Sequence, residues 1–505
     1  MTFSRRLAPV VCASLLLLTP VSAREREREL IHDPDDVRRH AGADAPSEDC
    51  LQFNCEPEPS KVSKDNVGQL ALAWQIKLED IADTAPVYVS AAPTILGERD
   101  IVIVTTMGGH LIAVDANDGS IVWSAAPPNG PRWTTASPVV DPNREYVYAY
   151  GRDGYVHRHM LFDGTEVKGD GWPQLVTLKP EGEKCSSALS VVTTKSGQSY
   201  LYATIAGYPE GDNIDYQGHL VAIDLATGKQ NVFNALCSDR TTHFGAGNNA
   251  SNCRALQAGI WARAGAVYDP VTDRTYITTG DGAYDADQGG FNWGSSVLAL
   301  RPDGTTDGGT PLDSFTPSDY QQLNDEDLDL SSTTIAILQI DKAQEVGRLA
   351  VQGGKDGRLR LLDLNDLSGQ GGPRHVGGEL QNIAVAMPAG IFTRPATWLA
   401  PDGTSWVFVT NFRGISAYSL VIDDSGPHLD LRWQRAGGGS SPIIDSGVLF
   451  YARDHEVRAL DPESGKILWS DPSSGNIHWE SPIFVNDTLY LPDHENGLSA
   501  YRLPR

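Results

Sequence analysis

Several signatures are missing from this chain, and each absence removes a class of function. No Cys-x-x-Cys-His occurs in the 505 residues, so there is no attachment signature for a covalent c-type haem. His-Glu-x-x-His and Gly-x-Ser-x-Gly are absent too, which removes the signatures of zinc hydrolases and serine esterases. Gly207, Gly211 and Gly218 precede no helical pattern and do not form a nucleotide loop. Basic residues are scarce: 40 Lys and Arg face 65 Asp and Glu, a formal charge of −25. Such a surface repels nucleic acid and anionic membranes. Beyond residue 23 no apolar run is long enough to span a bilayer.

The first 23 residues read as a signal peptide. Arg5 and Arg6 form a basic start, "LAPVVCASLLLLTPV" a short apolar run, and Ser22-Ala23 a small-residue cleavage site, so export to the periplasm or beyond is expected. Loss of those two Arg and no acid takes the charge from −25 to −27. Residues 24–64 read as a polar extension and 65–505 as a single domain. Five cysteines remain, of which Cys50 with Cys55 and Cys237 with Cys253 are the economical disulfide pairs, leaving Cys185 odd.

What the chain has in abundance is a repeat. "GHLIAVDANDGSIVWS" at 109 returns as "GHLVAIDLATGKQNVF" at 218 and "HEVRALDPESGKILWS" at 455, and weaker copies bring the number to eight. From 440, "SSPIID", "GVLFYAR", "EVRALD" and "KILWS" read as four short strands joined by hairpins, and 50 Gly and 31 Pro supply the turns. Four-stranded units repeated radially make a β-propeller. The last repeat has three strands, and the missing fourth, "QLALAWQI", lies at 69–76. The expected fold is therefore all-β, an eight-bladed β-propeller closed by an N-terminal strand that completes the last blade.

The Trp-ended repeats and the lead-in "SKVSKDNVGQLALAWQ" at 60–75 resemble the pyrroloquinoline quinone (PQQ) dehydrogenases and their non-catalytic relatives. The resemblance runs from about residue 60 to the C-terminus and implies PQQ and Ca²⁺ as cofactors. "GIWARAGAVYDPVTDRTYITTGDG" at 259–282 looks like the blade that supplies a Trp beneath the quinone and an Asn on Ca²⁺, which maps these roles to Trp261 and Asp281. An aromatic face suits a flat cofactor, and a carboxylate suits a hard cation. The spacing is two residues longer than expected, and alignment by Tyr-Asp-Pro places Arg263 under the ring instead. "NDEDLDLSST" at 324–333 resembles the segment with the catalytic base, here Asp329, with Asp327 as a further metal ligand. "AVQGGKDGRLRLLDL" at 350–364 resembles the blade whose Lys or Arg bonds the quinone oxygens, here Lys355.

Two features depart from the family. Its dehydrogenases close the quinone pocket with a disulfide between adjacent cysteines, and no Cys-Cys pair occurs here. The expected Ca²⁺-binding Glu has no clean counterpart, since Glu210, Asp212 and Asp215 lie in a loop of different length. Two readings follow. One is an exported dehydrogenase that oxidises an alcohol or sugar hydroxyl and passes electrons to a separate acceptor. The other is a propeller without cofactor that binds a protein, peptide or glycan on the same loop face.

Overall fold

The runs of each repeat pair into an antiparallel sheet, and the computed structural model contains eight such sheets, seven of four strands and one, at 183–234, of five because two short strands, Glu183–Cys185 and Ser190–Thr193, both pair with Ser199–Gly207. It describes residues 60–209, 215–240, 253–344, 346–495 and 497–504. Blades 1 to 7 take their strands from 87–125, 139–175, 183–234, 267–315, 336–384, 396–436 and 443–471. Blade 8 combines 483–502 with the strand Ala71–Lys77, which pairs antiparallel to Gly497–Arg502. The ring is therefore closed by its own N-terminal strand, as the three-stranded last repeat predicts.

Period-two alternation does not hold within the inner strands, because both faces of each blade are covered. Leu111–Asp115 is buried along its whole length. One core cluster joins Trp74, Tyr490 and Leu498 of blade 8 to Tyr88, Val102 and Ile112 of blade 1. Another joins Phe408 and Ala417 of blade 6 to Leu449 and Tyr451 of blade 7. The core thus lies between neighbouring blades, where apolar faces of adjacent sheets pack.

The repeat's Asp-x-x-x-Gly turn and terminal Trp belong to one device. Trp123, on the outer strand of blade 1, donates its indole N–H to the Leu161 carbonyl of blade 2 at 3.0 Å. Trp74, Trp433 and Trp469 make the same bond to the following blade, reaching Ala116, Pro462 and Leu70. The ring then lies against the turn glycine. Gly119 has φ +76°, and a Cβ there would stand 2.7 Å from the Trp74 ring. Glycine is required on both counts. Trp123→Ala should cost about 3–5 kcal/mol, and Gly119→Ala about 1–3 kcal/mol. Chemical unfolding checks both, and an unchanged midpoint for either would remove this account of blade docking.

Cys237 and Cys253 form the expected disulfide, and Cys185 is buried and free. Cys50, Cys55, Glu210 and Asp212 lie outside the described residues. Among the described residues no helix is long and apolar enough to cross a membrane.

Candidate functional site

In each blade the loop between the second and third strands and the link into the next blade emerge on one face. The residues singled out in the sequence are carried on these two kinds of segment. Trp261 lies on the link into blade 4, and Asp281 on the loop that follows strand Arg274–Thr278 of that blade. Asp327 and Asp329 lie on the link into blade 5, and Lys355 on that blade's hairpin between Leu349–Gly353 and Arg358–Asp363.

Local geometry in the link explains how the two aspartates are delivered. A short helix, Tyr320–Asp325, ends with Leu328 N–H bonded to the Leu323 carbonyl, and Asp327 then takes φ +54°, a conformation that Asp tolerates. The chain re-enters at Asp329, whose carbonyl accepts the Lys355 N–H at 3.1 Å. Its carboxylate Oδ1 accepts the Asp281 N–H at 2.8 Å. This close approach needs Gly280, since a Cβ there would stand 2.1 Å from Asp329 Oδ1 and 2.6 Å from Ser331 Oγ. Asn324 holds the next residue of the loop by accepting the Gly282 N–H at 2.6 Å.

Five of the six expected residues meet. One carboxylate oxygen from each of Asp281, Asp327 and Asp329 lies within 4.8 Å of the others. Lys355 Nζ sits 2.9 Å from Asp327 Oδ1, pairs with Asp329 Oδ2, and lies 5.5 Å from the centre of the Trp261 ring. Burial pushes the Asp281 carboxyl up to about 8; the charge on Asp329 adds to this and Lys355 opposes it. Burial works against the Lys355 ammonium, but Asp329 and Asp327 outweigh it and hold Lys355 above its ordinary value.

Arg263, the sixth, turns to a different group. Its guanidinium donates to the Asp83 carbonyl at 2.7 Å, pairs with the Asp83 carboxylate at 2.8 Å, and lies 5.7 Å from the Trp479 ring centre. Aromatic side chains connect the two groups. Trp479 stacks on Phe392 at 4.5 Å and 3°, and Phe392 meets Trp261 at 6.0 Å.

Sequence reasoning passed over Phe392, Tyr216 and Asp83. Burial and then Asp329, Asp281 and Asp327 raise the Tyr216 phenol well above its ordinary value, which places it beside the three carboxylates. Phe392 and Asp83 occupy links just before a blade's first strand, as Trp261 and Asp329 do. That shared position was the available signal.

The residues meet the chemical demands of a hard cation and a flat anionic cofactor. Asp281 is 5% exposed, and its Oδ1 is buried without a hydrogen-bond partner. Such an oxygen is costly unless a proton or cation satisfies it. Three carboxylates supply the oxygen ligands that a hard divalent ion prefers. Trp261 and Lys355 supply an aromatic face and a cation beside them.

A family model described as outer membrane protein assembly factor BamB matches residues 66–305. Over 316 residues the chain is 25% identical to the dehydrogenase subunit of the quinone alcohol dehydrogenase of Komagataeibacter europaeus, covering 54% of this chain and 39% of that protein. The match thus spans about two fifths of that relative's length. Among solved structures, the quinohemoprotein alcohol dehydrogenase of Comamonas testosteroni superposes with TM-score 0.63 at 16% identity, covering 94% of this chain and 84% of that one. A second, the quinohemoprotein alcohol dehydrogenase ADHIIG of Pseudomonas putida HK5, gives TM-score 0.62 at 16% identity, covering 90% and 79%. At these identities the structures establish the shared propeller alone.

Proposed function

We propose that the chain is a member of the PQQ-dehydrogenase-like β-propeller family, a reading supported by the family-model match at 66–305 and by the 25% identical relative, and that it is an exported quinoprotein dehydrogenase oxidising an alcohol or sugar hydroxyl. One observation carries the reading: Lys355 bridges Asp327 and Asp329 over the Trp261 ring, beside the buried Asp281. When bound, PQQ would supply the two-electron acceptor and Ca²⁺ a Lewis acid.

The chain's own groups then have distinct tasks. Trp261 gives the flat surface that orients the cofactor. Asp281, Asp327 and Asp329 would hold the cation, each through a carboxylate oxygen. Asp329 accepts the substrate hydroxyl proton at a carboxylate oxygen, positioned by the Asp281 N–H and by packing on Gly280. Lys355 would keep a positive charge beside the Trp261 face, where it could stabilise negative charge growing on a bound quinone. A separate protein or small-molecule acceptor takes the electrons, because no c-type haem signature occurs in the chain.

Reconstituted with PQQ and Ca²⁺, the full chain should reduce an artificial electron acceptor when offered primary alcohols or aldoses. Quinone bound without turnover across such a panel would contradict the dehydrogenase reading. The site also sets a pH dependence for the cation. Asp281 keeps its proton up to about pH 8 in the metal-free protein, so Ca²⁺ must displace that proton. Ca²⁺ affinity should therefore rise as pH increases towards 8, by up to about tenfold per unit, and level off above it. Asp281→Asn should flatten the profile; an equally steep profile in the variant would assign the proton elsewhere.

A further inference from the structure

The group around Arg263 is not used by the chemistry above, yet it gathers the ingredients of a second metal site. Asp83 lies on the link from the closing strand Ala71–Lys77 into blade 1, His478 on the link into blade 8, and His494 on that blade's hairpin. One ligand atom from each lies within 4.8 Å of the others. His478 Nδ1 is 2.8 Å from Asp83 Oδ2, and the two imidazole rings are 5.3 Å apart. With bonds of about 2.1 Å, neighbouring ligands of a first-row ion stand about 3 Å apart, so little movement would be required.

A second observation points to a missing cation. Glu480 is fully buried in the same place, and its Oε1 has no hydrogen-bond partner, while Oε2 accepts the His478 N–H at 2.7 Å. Two buried carboxyl groups, Asp83 and Glu480, lie near one guanidinium, that of Arg263, which pairs with Asp83, and a cation would satisfy the unpartnered Glu480 oxygen.

We propose that Asp83, His478 and His494 bind a first-row divalent transition ion such as zinc, with the Glu480 carboxyl beside it. The mixed nitrogen and oxygen donors favour this class over Ca²⁺, which takes oxygen alone. Arg263 Nη2 contacts both Asp83 carboxylate oxygens, at 2.8 and 2.9 Å, and lies 3.5 Å from His478 Nδ1, so the guanidinium supports the carboxylate as donors do around ligating carboxylates and would shift as the ion enters. The ion would clip the hairpin and incoming link of blade 8 to the link that leads from the closing strand into blade 1. The proposal does not depend on quinone binding.

Co²⁺ provides the test, because its visible absorption reports nitrogen and oxygen ligation. Chelator-treated full-length protein should bind one equivalent of Co²⁺ with a visible band and a raised melting temperature. Zn²⁺ should displace it, and excess Ca²⁺ should not. His494→Gln, at a partly exposed position, should weaken binding at least roughly tenfold, as should His478→Gln, while Asp281→Asn leaves it unchanged. Folding of each variant is checked by its melting curve without metal. Absence of the band in the parent protein would overturn the proposal, and so would parental affinity in both His variants or displacement by Ca²⁺.

Discussion

Asp329→Asn is expected to lower kcat about 10²–10⁴-fold while PQQ affinity changes only a few-fold. Asparagine keeps an oxygen for the Asp281 N–H bond and the same contact with Gly280, so the loop geometry survives. What it loses is the capacity to accept a proton. Single-turnover kinetics with a bound-quinone assay separates the two effects. Ca²⁺ affinity should fall modestly, since Asp329 is one of three carboxylates at the cation position; a kcat restored by saturating Ca²⁺ would instead make Asp329 chiefly a ligand. Gly280→Ala is the companion variant, because it displaces the Asp329 carboxylate without changing its chemistry. It should lower kcat and leave the proton-accepting group in place.

Lys355→Met should reduce kcat/KM by about 10²–10³-fold, the scale seen when one preorganised electrostatic donor is removed. The ammonium is the only described cation paired with Asp327 and Asp329, and it lies over the Trp261 ring. Its loss also leaves the carboxylates to repel one another, so proton uptake by the metal-free site should increase. Lys355→Arg retains the charge and should recover part of the rate. A methionine variant with near-parental kcat/KM would assign Lys355 to the structural turn that Lys-Asp-Gly otherwise forms.

Much of the architecture was legible because the repeat states its own strand pattern and its missing strand. In the sequence "QLALAWQI" follows no repeat of its own, and among the described residues the last sheet is the one that takes this strand as its fourth. The Trp and Gly positions carried the docking device in sequence, although its partner atoms, such as the Leu161 carbonyl met by Trp123, lie in the following repeat and emerge only in the folded ring. The clustering of Trp261, Asp281, Asp327, Asp329 and Lys355 was legible through family resemblance rather than through spacing, since they come from four segments separated by whole strands. Arg263 shows where one-dimensional alignment stops. One residue separates it from Trp261, yet one side chain lies by Lys355 and the other crosses to Asp83. Asp83 and His478 are far apart in sequence, and ring closure alone brings them into contact.

The central claim is that the Trp261–Lys355 side of the mouth takes PQQ together with a hard cation. Metal-stripped full-length protein titrated with PQQ, with and without Ca²⁺, tests this directly when absorbance and melting temperature are followed together. The account predicts saturable binding that tightens with Ca²⁺, raises the melting temperature, and is lost in Trp261→Ala. No binding at high micromolar PQQ in the presence of Ca²⁺ would contradict it and leave a propeller whose loop face holds a protein, peptide or glycan.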